Sequence, residues 1–140
     1  MSLAMGCSPA PPNATAEGAA RAFVELVVHF DGDPRQAEEL FGMLSSRAQD
    51  NLQTRAKRYG AASGRTIEPA AMLVPARVAL RFNPRSYDAQ VVGSFAMVDV
   101  LGVRADQRAQ IPCALEDGQW RVDVVLPELP PMLVGPGRDL

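Results

Sequence analysis

The spacing of apolar side chains changes once along this chain, and that change constrains the fold more than any other feature. Between residues 15 and 64 they recur at helical intervals, and from residue 76 they alternate. Helices first and strands second is the order of an α+β domain, with the helices packed on one face of an antiparallel sheet. A parallel sheet would need the two kinds of segment to alternate along the chain.

Three helices are expected in the first half. Phe23, Leu26, Val27 and Phe30 stand at i, i+3, i+4 and i+7, one apolar stripe. Glu17 in the first turn suits the positive end of the helix dipole, and Gly32 closes the segment. Asp33-Pro34 opens a second helix, since Asp caps free N–H groups and Pro is tolerated at the first helical position. Ala37, Leu40, Phe41 and Leu44 form its stripe. Ser46 followed by Gln49 reads as a capping box for a third helix, with Ala48, Leu52, Ala56 and Tyr59 on one side and Gly60 and Gly64 at its end.

Strands are expected from residue 76. Val78, Leu80 and Phe82 alternate with Ala79 and Arg81, and Pro84 marks this segment as an edge or bulged strand. Ala89–Val92 leads through Gly93-Ser94 into Phe95–Leu101, and Ala109–Leu115 follows. Asp117-Gly118 is a two-residue hairpin signal. Trp120, Val122, Val124 and Leu126 then line one face of a last strand, with Arg121 and Asp123 on the other.

The ends differ from this core. Gly6-Cys7-Ser8 followed by Pro9, Ala10, Pro11 and Pro12 resembles a bacterial lipoprotein processing site, in which a small residue precedes an acylated Cys and a linker follows. Residues 1–13 are therefore expected to be a leader and flexible linker, with Cys7 as the lipidation site and Met1-Ser2-Leu3 in place of a signal sequence. A Pro/Ala-rich spacer extends by about 3 Å per residue, as a tether requires. Residues 14–127 form one domain, and residues 128–140 are a Pro/Gly-rich tail. Leu129, Met132, Leu133 and Val134 of that tail could pack on the domain as an extended strap.

Composition narrows the function classes. A net charge of −2 argues against nucleic acid as a partner. Two Cys and one His all but exclude a structural zinc site. No run of about 18 apolar residues is present, so the only membrane link expected is a lipid anchor. Gly60-Ala61-Ala62-Ser63-Gly64-Arg65 follows a helix and lacks the Lys-Ser/Thr ending of a phosphate loop, so no cofactor is expected.

Three stretches carry a family resemblance: the first helix ending in Gly32-Asp33 before Ala37, Leu40 and Phe41; the hairpin Val91-x-Gly93-Ser94-x-Ala96-x-Val98; and Glu116-Asp117-Gly118-Gln119-Trp120-Arg121-Val122. In this order, over residues 15–126 and behind the Cys7 linker, the chain resembles the small bacterial lipoproteins of unknown function within the nuclear-transport-factor-2-like superfamily. The resemblance implies a cone: a strongly curved antiparallel sheet wraps the helices and leaves a pocket at its open end. It implies no activity, because that fold hosts isomerases, dehydratases, cyclases and inert accessory domains alike.

The residues able to do chemistry in such a pocket are few. His29 lies at the border of the first apolar stripe and is either a base or a locally satisfied surface residue. Asp99 shares a strand face with Phe95, Met97 and Leu101. On a core face its pKa would be raised, as at functional sites; on an outer face, or paired with Arg81 or Arg121, it would be structural. Tyr59 and Tyr87 are either ligand donors or packing residues with hydroxyls at the rim. Arg81 is a further candidate ligand contact. Cys113, between Ile111 and Leu115 on the apolar face, reads as a buried structural thiol. No set of catalytic residues is assigned. The favoured expectation is a non-enzymatic extracytoplasmic binding or accessory domain in the cell envelope. It would engage a protein partner or a small apolar ligand, and it could form a homodimer through the outer sheet face. The alternative is a small isomerase or dehydratase with Asp99 or His29 as base and Tyr59 or Tyr87 as donor.

Overall fold

The computed structural model describes residues 10–126; Cys7 and the tail at 128–140 lie outside the described residues. A 3-10 turn at Pro12–Ala14 precedes three helices: α1 (Ala16–Val28), α2 (Pro34–Gly42) and α3 (Ser46–Ser63). A second 3-10 turn at Pro69–Met72 and a single helical turn, α4 (Pro75–Val78), lead to the sheet. Its strands, β1 (Ser86–Val92), β2 (Phe95–Leu101), β3 (Arg108–Glu116) and β4 (Gln119–Val122), form an antiparallel meander in chain order.

The helices begin for local reasons. Thr15 caps α1 by accepting from the Gly18 amide, and Asp33 caps α2 by accepting from the Arg35 amide, with Pro34 at the first position. The cap of α3 is Ser45, one residue before the expected Ser46; its Oγ accepts from Ala48 N. Ser46 is instead bound to the sheet, and Gly64 ends α3 in the left-handed conformation, φ 72°.

One core joins the two halves. Phe23 and Val27 of α1, Leu40 of α2, Leu44 and Leu52 pack with Val98, Val100, Cys113 and Val122 of the sheet. Burial of each large aliphatic side chain is worth about 1.5–3 kcal/mol before chain entropy is counted. The sheet alternates accordingly: Ala96, Val98 and Val100 are buried, and Phe95, Met97, Asp99 and Leu101 face away from the helices.

Three expectations are corrected. Residues 76–82 are not a strand, because Pro75 starts a helical turn and the segment after it finds no ladder. The alternation is real as burial: Val78, Leu80 and Phe82 pack on the core, while Ala79 and Arg81 are exposed. The last strand stops at Val122 rather than running to Leu126. Asp123 N still donates to Pro112 O at 2.8 Å, but Pro112 has no N–H to return. Finally, the sheet is neither closed nor strongly curled, so the cone is not formed. Strands β1–β2 and β2–β3 pair residue for residue with no bulge, and bulges are the devices that bend a sheet sharply.

Both outer strands are partly covered. Leu44 forms a parallel bridge with Val122, in which Ser45 N donates to Val122 O and Val122 N donates to Met43 O, each at 2.9 Å. At the other edge Ala89 N donates to Glu17 Oε2 at 3.3 Å.

Candidate functional site

The residues singled out in the sequence do not meet. Asp99 lies on the sheet face turned away from the core, where Gln110 Nε2 donates to its Oδ1 at 2.9 Å. His29 caps the end of α1, and its Nδ1 is 2.8 Å from Glu25 O. Tyr59, on α3, is 59% exposed. Tyr87 points to the core side of β1, opposite Val100, with the Arg21 guanidinium 4.4 Å from its ring centroid. Its hydroxyl is buried with no hydrogen-bond partner among the described residues. Burial pushes this phenol up; the positive charge of Arg21 acts the other way. Arg81 borders a cleft between residues 79–82 and 106–109.

A buried polar cluster was not visible in the sequence. Asp123, expected on the outer face, is 7% exposed. Its Oδ1 accepts from Ser45 Oγ at 2.6 Å, and its Oδ2 from Arg47 Nη2 at 2.8 Å. Next to it, Glu116 accepts from Ser46 N and Ser46 Oγ, with the Arg121 guanidinium 3.8 Å away. One carboxylate from the end of β3 and one just past β4 thus hold the N-terminus of α3, where free N–H groups and the helix dipole favour negative charge. The spacing of 70–78 residues between partners leaves no local sequence signal. The cluster is a clasp between helix and sheet: its lone pairs are committed to ordering the chain. Cys113 is fully buried, and burial, reinforced by the charges of Asp123 and Glu17, pushes its thiol up to about 12. It is a packed thiol and not a thiolate nucleophile.

A pocket with chiefly apolar walls lies at the opposite border of α1. Trp120 and Arg121 of β4, Ala19 and Ala22 of α1, Met43 at the end of α2, and the Pro11–Asn13 turn surround a pocket of about 330 Å³. Small side chains create it. Ala19 and Ala22 leave the α1 surface low beside the half-buried indole of Trp120, and Gly42 adds no side chain at the rim. Arg121 is tied back, its Nη1 donating to Gly42 O and its Nη2 to Gln119 Oε1 at 3.4 Å. The indole N–H has no hydrogen-bond partner among the described residues. A small apolar group could pack against Trp120, Met43 and the two alanines here. In the sequence Trp120 read only as the start of a strand; the pocket depends on α1 crossing it. Compared with protein-family models, with curated proteins and with solved structures, the chain matches none.

Proposed function

We propose that this chain is a non-enzymatic binding domain that takes a small apolar ligand against Trp120. The reading includes the lipoprotein-type anchor at Cys7, a place in the bacterial cell envelope, and kinship with the nuclear-transport-factor-2-like lipoproteins that its motifs resemble. One observation carries it: the Trp120 pocket, at about 330 Å³, falls within the roughly 300–1,000 Å³ typical of small-molecule sites. Its walls are chiefly Pro, Ala, Met and Trp, with Asn13 and Arg121 as the polar side chains. The dispersal of His29, Asp99 and Tyr59 over three separate surfaces favours binding over the isomerase alternative.

Trp120 is the sole tryptophan, so its emission reports on the pocket directly. Titration of the full chain with the neutral probe N-phenyl-1-naphthylamine is expected to quench Trp120 by energy transfer. Ala22→Phe, which fills the pocket, should weaken that binding by roughly tenfold or more. Equal binding by the variant would overturn the assignment. We further propose that a second copy pairs over the outer sheet face, where Val92, Phe95 and Leu101 are exposed.

A further inference from the structure

The ladder register fixes what the open face of the sheet displays. Residues directly opposite one another in an antiparallel pair share a face. Because Ala96, Val98 and Val100 are buried under the helices, the alternate rows point outward. The outward row at the β1–β2 turn, Val92–Phe95–Ala114, is apolar, and the next holds Met97 and Pro112. The two rows beyond carry charge: Asp88–Asp99–Gln110, then Ser86–Leu101–Arg108.

These charged rows are not balanced within one chain. Asp88 and Asp99 stand directly across from each other, and like charges so placed destabilise a ladder. Gln110 donates to Asp99, whereas Asp88 has no hydrogen bond or ion pair among the described residues. One row on, the exposed Arg108 has none either. The remaining charges of this face are committed: Glu116 to Ser46, and Arg121 to Gly42 O and Glu116. One uncommitted acid thus lies on β1 and one uncommitted base on β3, on either side of β2.

A surface that binds its own copy must carry both halves of every polar contact, since residue i meets j and j meets i. This face does so across β2. Two sheets packed face to face keep their strands within about 30° of each other. A twofold axis close to the direction of β2, crossing it between Asp99 and Leu101, lays β3 of one copy over β1 of the other. Arg108 then stands over the Ser86–Asp88 end of the other copy's β1, and the contact occurs twice. The same axis sets the apolar rows on each other and brings the two Asp99 carboxylates together.

We propose that two copies of this chain pair about such an axis, in a register set by Arg108 of each copy against Asp88 of the other. This register presupposes the pairing of two copies over the outer face and gives it a geometry. The apolar rows supply the attraction, and the charges select the alignment, because sliding one sheet along the other separates Arg108 from Asp88. Asp99 opposes the pair.

Sedimentation equilibrium of the full chain tests this. Asp88→Arg and Arg108→Asp change exposed side chains, and each alone sets like charges across the interface twice. Each should weaken the dimer by roughly tenfold or more. An equimolar mixture of the two should form a heterodimer, in which both contacts are again opposite in charge, and the double variant Asp88→Arg/Arg108→Asp should regain the native affinity. That recovery also shows that the single variants are folded. Asp99→Asn should tighten the dimer. A native chain that stays monomeric at micromolar concentration overturns the pairing and the register together. A native dimer that neither single variant weakens, a mixture no tighter than its components, or a looser dimer in Asp99→Asn leaves the pairing standing and overturns the register.

Discussion

Asp123 is the residue on which the most unlike groups converge. A hydroxyl, a guanidinium and the cap of α3 all depend on one carboxylate that is almost out of water. Asp123→Ala would leave Ser45 Oγ buried without its acceptor, so thermal or denaturant unfolding should show a loss of about 2–3 kcal/mol. Arg47→Ala removes the other partner, whose side chain is 71% exposed, and should cost no more than about 1 kcal/mol. Equal losses would mean that the ion pair, and not the buried hydrogen bond, holds the clasp. Cys113 makes a different statement about pH. Its folded pKa stands above the ordinary value of 9.0, at about 12. The unfolded chain therefore ionises first as pH rises. The thiol's contribution is whole below pH 9 and is lost between pH 9 and 12, with a slope approaching ~1.4 kcal/mol per pH unit. Cys113→Ala should remove that alkaline slope, whatever its cost at neutral pH.

Among the elements, the β3–β4 hairpin is the one most fully written in local sequence. Asp117 and Gly118 both have positive φ, 52° and 77°, the pair of conformations that a tight two-residue turn requires. Gly118→Val forces a branched side chain into that region and should cost about 1–2 kcal/mol, seen as a lowered melting temperature. Helices α1, α2 and α3 were equally legible, because caps and apolar stripes are properties of neighbours along the chain. Residues 78–82 show the limit of that logic. Their alternation reports which side chains touch the core, and a strand also needs a ladder partner, which no local pattern supplies. β4 shows the same limit from the other side: its end is dictated by a proline on β3, ten or so residues upstream.

For the molecule as a whole, the sheet has one face under the helices and one in solvent. Antiparallel sheets tolerate this, but the open face here carries Phe95 at 43% and Val92 at 78% exposure. If a second copy covers that face, sedimentation of the native chain gives a dimer, and Phe95→Arg gives a monomer with an unchanged melting profile. A native monomer at micromolar concentration would reject the pairing. The outer-face residues expected from the sequence were different: Asp123 is buried, and Arg81 lies before the first strand.

By itself, the sequence determined the α+β class, the order of helices before strands, the caps at Asp33 and the turn at Asp117-Gly118, and the apolar faces of α1, α2 and α3. Each follows from interactions within a few residues, where backbone geometry and side-chain spacing act directly. Only the tertiary structure decided that the sheet stays open, that Asp123 is buried, that Asp99 faces out, and that a hollow lies between Trp120 and α1. Those outcomes rest on groups some 70–100 residues apart, such as Ser45 with Asp123 or Ala19 with Trp120, whose meeting has no local signature. A hollow is space left over when elements pack, and so it is a property of the fold rather than of any segment.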